Sequence, residues 1–107
     1  MIAAGKLDRR IALRVATQGA DDFGAPVETW ADLAVVWAEK RDLRGREFYQ
    51  ANSENAEIET VFRIRWRPDV SPLNRIAYDG RDYDIVSVAE IGRRDGLEIM
   101  AKARAEN

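Results

Sequence analysis

The chain contains no histidine and no cysteine. Without histidine there is no Ser-His-Asp or Cys-His catalysis, and no side chain whose ordinary pKa falls between about pH 5 and 8. Without cysteine there are no disulfides or thiolate metal sites, so a metal would have to be held by oxygen alone. Apolar runs are short: "LAVVWA" is among the longest, far below a membrane span. The start, "MIAAGKLDRR", lacks the apolar centre of a secretory signal. No charge block stands out either. Residues 1–53 hold 8 basic and 8 acidic side chains, residues 54–107 hold 9 and 11, and the net charge is −2. A dedicated DNA binder is expected to carry a basic stripe, so this balance argues against that class while leaving brief DNA contact open.

What is present is an ordinary globular mixture, 46% apolar and 34% charged. It predicts one ordered domain over residues 1–107 with a heavily charged surface. A small domain without disulfides fits the cytoplasm.

Period-two alternation dominates. Ile11, Leu13 and Val15 share one face and Arg10, Ala12 and Arg14 the other, which predicts a half-buried strand over 9–16. "TQGADDFGAP" reads as a loop. Strands are expected over 27–30 and 33–39, with Asp32 at a turn between them. In "IETVFRIRWRPDV", Phe62, Ile64 and Trp66 alternate with Arg63, Arg65 and Arg67 until Pro68 ends the ladder. Residues 75–78 and 82–91 flank a hairpin turn at Asp79-Gly80. "GRRDG" predicts a second turn with positive φ at Asp95-Gly96, followed by a strand over 97–103. "RAEN" is expected to fray. The pattern predicts a mainly β protein: a small antiparallel β-barrel of six or seven strands with a long irregular or short-helical insert. Such a fold protects its edges by closing.

That insert is residues 44–57, "RGREFYQANSENAE". It is polar and breaks the alternation, and long connections of this kind are often functional. Glu47, Phe48, Tyr49, Gln50 and Asn52 are its contact candidates. The other candidates are Arg63, Arg65 and Arg67, spaced about 7 Å apart along one strand face. They are suited to phosphates or to carboxylates of a neighbouring subunit; alternatively they form a solvated face with cross-strand partners such as Glu98 or Asp84. Trp37 and Trp66 read as core, and Trp30 as the partly exposed tryptophan. "DGRDYD" offers three carboxylates but not the order of a calcium loop. No P-loop and no fixed carboxylate pair occurs. No catalytic, cofactor or metal residue is therefore assigned.

The segments "GKLDRRIAL", "DDFGAPVETW", "VWAEKRDLRGREFYQA", "TVFRIRWRPDV", "NRIAYDGRDYDIVSVAEI" and "GLEIMAKA" occur in this order across nearly the whole chain. Together they resemble the tailed-phage head closure, or head–tail joining, family of small connector proteins. The resemblance implies a structural virion protein at the head–tail interface, made in the bacterial host cytoplasm by a phage, a prophage or a gene transfer particle. It implies a homo-oligomeric ring, with portal and adaptor proteins above and tail-terminator or tail proteins below. The ring would close the channel after packaging, touch double-stranded DNA transiently, and need no cofactor and no membrane. The alternatives are a tail-terminator-type ring protein and a nucleic-acid-binding barrel of OB or SH3-like type. The latter needs aromatics beside a basic groove, whereas the alternation puts the arginines and aromatics of residues 62–67 on opposite faces.

Overall fold

The computed structural model describes residues 4–43 and 59–104. After a 3₁₀ turn at Ala4–Lys6 come six strands: β1 (Arg9–Ala20), β2 (Pro26–Asp42), β3 (Thr60–Arg65), β4 (Arg75–Tyr78), β5 (Arg81–Ile91) and β6 (Gly96–Ala103). They close into a barrel in the order β1-β2-β3-β6-β5-β4, every neighbouring pair antiparallel. The expectation of a small closed antiparallel barrel holds, with six strands.

Alternation fills the interior. Ile11 and Leu13 of β1, Phe62 and Ile64 of β3, Ile76 of β4 and Ile99 of β6 are almost completely buried. Phe62 is the largest of them. Its ring meets Tyr83 edge-on at 5.2 Å and Tyr78 at 6.5 Å, the geometry that aromatic quadrupoles favour. On β2 only Ala38 is fully buried, paired with Ile64, while Leu33 and Val36 pack partly buried against the core. Large faces small, as interdigitation in a narrow barrel requires.

Turn chemistry closes the β4–β5 hairpin as expected: Asp79 and Gly80 adopt φ of 52° and 76°, the two positive values of a type I′ turn. The turn before β6 departs from expectation. Positive φ falls on Gly92 (61°) and Arg94 (60°), while Gly96 is buried as the first residue of β6. The Asp95 side chain packs over Gly92, where a Cβ would collide with its carboxylate. Asp95 N–H donates to the Ile91 carbonyl at 3.0 Å and completes the turn.

The largest departure is at β1–β2. Residues 17–20 are strand, and residues 27–30 and 33–39 belong to one strand of 17 residues. Asp32 is not at a turn. The register steps from Leu13 opposite Ala34 to Arg14 opposite Asp32, leaving Leu33 as the extra residue of a bulge. A bulge breaks a period of two as a turn does, but it increases the twist without reversing the chain. Beyond it the two strands leave the barrel. β4 pairs with β1 only at Ala12, Leu13 and Arg14, and β3 pairs with β2 only over 38–42. Residues 15–20 and 26–31 therefore pair only with each other among the described residues. They form a two-stranded arm, which accounts for the long axis of 48 Å against 28 and 24 Å.

Candidate assembly surfaces

The arm has no core of its own; every residue from Thr17 to Pro26 is exposed. Pairing and local contacts hold it. Thr17 and Thr29 stand opposite each other and their hydroxyls hydrogen-bond at 2.6 Å. At the tip Asp21 Oδ1 accepts the N–H groups of Phe23 and Ala25, both at 2.9 Å. Gly24, at φ 80°, completes the turn by donating its N–H to the Asp21 carbonyl. Phe23 projects from this ordered turn, 95% exposed.

The base of the arm is locked to the barrel. The Arg75 guanidinium lies 3.9 Å from the Trp30 ring centre, and its Nε is 3.5 Å from Asp84 Oδ1. Arg104 Nη1 donates to the same carboxylate at 2.9 Å, and Arg104 N–H donates to the Asp82 carbonyl. Arg104 is thus anchored and does not fray; residues 105–107 lie outside the described residues. Buried Asn74 ties the 71–74 loop to β1: its Oδ1 accepts Ser71 N–H at 2.8 Å and its Nδ2 donates to the Arg14 carbonyl at 3.2 Å.

A groove of about 300 Å³ opens beside the barrel part of β2, lined by Leu7, Val36, Trp37, Arg65, Trp66 and Arg67. Trp37 is not core: it is 53% exposed, with Arg10 over its ring at 5.5 Å. Ala38 takes the inward position, so Trp37 must point out. Trp66, half-buried, does pack against the core; its Nε1 donates to Glu90 at 3.2 Å and Arg94 covers its ring at 4.8 Å.

The predicted arginine face is divided. β3 stops at Arg65, so Arg67 leaves the ladder and binds Asp69 through two hydrogen bonds of 2.9 and 2.8 Å. That pairing holds the Asp69 carboxyl below its ordinary pKa, the hydrogen bonds outweighing the cost of partial burial. Arg63 stands opposite Glu98 and pairs with it at 2.9 Å, the cross-strand partner expected from the pattern. Asp84, the other expected partner, serves Arg75 and Arg104 instead. Of these three arginines, Arg65 is the one that is exposed without an ion pair or ring contact among the described residues. Arg65 and Arg67 share the groove with Trp37 and Trp66, so the expected separation of arginines from aromatics does not hold there. Glu47, Phe48, Tyr49, Gln50 and Asn52, and with them the whole 44–57 insert, lie outside the described residues. Of the residues flanking it, Leu43 N–H donates to the Glu59 carbonyl at 2.8 Å.

No group of three or more acidic side chains is placed to hold a metal among the described residues. The surface offers instead a projecting arm, a groove of aromatics and arginines, and dispersed ion pairs, which is the equipment of a small barrel that packs against other proteins. The family model for phage head completion proteins matches residues 2–104. The head completion protein gp7 of Enterobacteria phage HK97 is 28% identical over 109 residues, covering 95% of this chain and 96% of that protein. The solution structure of protein SF1141 from Shigella flexneri 2a superposes with a TM-score of 0.83 at 28% identity, covering 99% of this chain and 100% of the other. A chain from the virion of a native gene transfer agent shares the fold, with a TM-score of 0.59 at 23% identity over 94% of this chain and 97% of that one. The chain belongs to the phage head completion protein family, and is a structural component of the virion.

Proposed function

We propose that this protein forms a homo-oligomeric ring beneath the portal and adaptor of the filled head, closes the DNA channel and presents the surface on which the tail docks. The observation that carries this reading is family membership over residues 2–104 in a chain whose described surface offers an arm and a groove rather than a catalytic cleft. Heterologous contacts between unlike surfaces are what close a ring. The near-neutral charge suits a channel through which DNA must pass, since a strongly basic lumen would retain it. The 44–57 insert, with Glu47, Phe48, Tyr49, Gln50 and Asn52, is assigned the gate or neighbour contact. Of the arginines, Arg65 is the one available to a partner, because Arg63 and Arg67 are engaged.

Electron microscopy of particles made without this gene tests the reading. Filled or leaking heads beside separate tails are expected; intact tailed particles at normal yield would refute it. A second reading is favoured by the groove itself, where two tryptophans stand beside arginines as in sites that stack nucleic-acid bases. A salt-dependent gel shift by the purified chain, lost on Trp66→Ala, would move the assignment to that class.

A further inference from the structure

Two surfaces of this chain complement each other and cannot meet within one molecule. Residues 15–31 contain Asp21, Asp22 and Glu28 and not one basic residue. At the end of this acidic ribbon Phe23 is held out into water by an ordered turn. The groove is its opposite in charge and its match in character. Two tryptophans form its apolar walls, and Arg10, Arg65, Arg67 and Arg94 stand around them, with the Asp69 and Glu90 carboxylates beside them among the described residues. Tip and groove are separated by the run of β2 from Pro26 to Trp37, about 36 Å at a rise near 3.3 Å per residue.

We propose that the arm of one copy seats Phe23 between Trp37 and Trp66 of the next copy, with Asp22 brought to Arg65. This rests on the ring reading above and names the contact that would build it. The contact is heterologous, so repeating it propagates in one direction and closes when the rotation permits. A central aromatic anchor ringed by complementary charge is the usual anatomy of a protein–protein hot spot. Arg65 gains the carboxylate it lacks among the described residues.

The absence of native cysteine makes the test clean. Particles from a deletion strain are complemented with Asp22→Cys, Arg65→Cys or both, then oxidised and run on a denaturing gel. The double variant is expected to give a ladder of this chain beyond the dimer, and each single variant a monomer. A ladder that stops at the dimer would mean a two-fold contact and overturn the proposal. Monomer alone, in particles that contain the chain, would overturn it too, and is the result a DNA-filled groove would give. If the chain is missing from tailed particles of normal yield, the ring reading itself falls. Phe23→Ser supplies an independent check. Its melting temperature should match that of the parent, while its incorporation into particles drops about 30-fold, the loss expected for one aromatic hot spot. Equal incorporation would rule out Phe23 as the anchor.

Discussion

The barrel and the arm are made from the same two strands, yet different forces hold them. In the barrel β1 and β2 have neighbours on both edges, and their inward residues are sealed against Phe62. In the arm the same strands pair only with each other among the described residues, and every residue from Thr17 to Pro26 is exposed. An isolated two-stranded ribbon is marginally stable at best. This one is carried by its base, by an ordered tip and by a cross-strand threonine pair. The contrast separates stability from recognition. Side chains that leave the core without loss, Phe23 above all, are free to be chosen for what they touch outside.

If that division is right, the largest loss of stability comes from the barrel centre. Phe62→Ala removes the largest fully buried side chain and both edge-on ring contacts. The expected cost is about 3–5 kcal/mol, a large share of what a domain this size possesses. Urea unfolding measures it. A loss below about 1 kcal/mol would mean that the core does not carry the fold, and the comparison would break.

The junction should rank next. Asn74→Ala leaves the Arg14 carbonyl and the Ser71 N–H without their partner in a part-buried setting. The expected cost is about 1–3 kcal/mol. Hydrogen exchange sharpens the prediction by locating it. Amides of residues 15–20 should lose protection more than those of β3 and β6, since Asn74 fastens the point where the arm leaves the barrel. Equal loss in both regions would make the arm part of the barrel's own cooperative unit.

The barrel was legible in the sequence because its residues obey one simple rule. Ile11 and Leu13, Phe62 and Ile64, and the Asp79-Gly80 turn each announce their place through alternation or turn chemistry. The arm was not. Gly19, Ala20, Asp21 and Asp22 have low strand propensity, and residues 17–20 pair because residues 26–29 lie opposite them, which no single window reveals. The bulge at Leu33 hid the continuity of β2, because a period broken by one extra residue looks like a chain reversal. Trp37 was misplaced for a related reason. Period two says which residues share a face and not which face is inside; here Ala38, paired with buried Ile64, takes the inside. The groove was half legible. Arg65, Arg67 and Trp66 stood out in the sequence, but only the end of β3 at Arg65 brings them round to Trp37.

The smallest predicted effect lies at the groove, far from the arm. Arg67 holds the Asp69 carboxyl below its ordinary pKa of 3.8. A group whose pKa is lower folded than unfolded adds stability above the unfolded value and loses it as the pH falls through the folded one. Both side chains are partly exposed, at 31% and 39%, so solvent screening limits the pair to about 0–1 kcal/mol. Asp69→Asn should therefore lower the urea midpoint slightly near neutral pH, and the gap should close in acid once Asp69 itself is protonated. With no histidine in the chain, the gap should stay constant between about pH 6 and 8. A gap that persists in strong acid would mean that Asp69 acts through packing or backbone geometry rather than charge. The same variant leaves Arg67 unpaired beside Arg65 and makes the groove more positive. If an acidic arm tip occupies that groove in the ring, Asp69→Asn should be incorporated into particles at least as well as the parent despite its slightly lower stability.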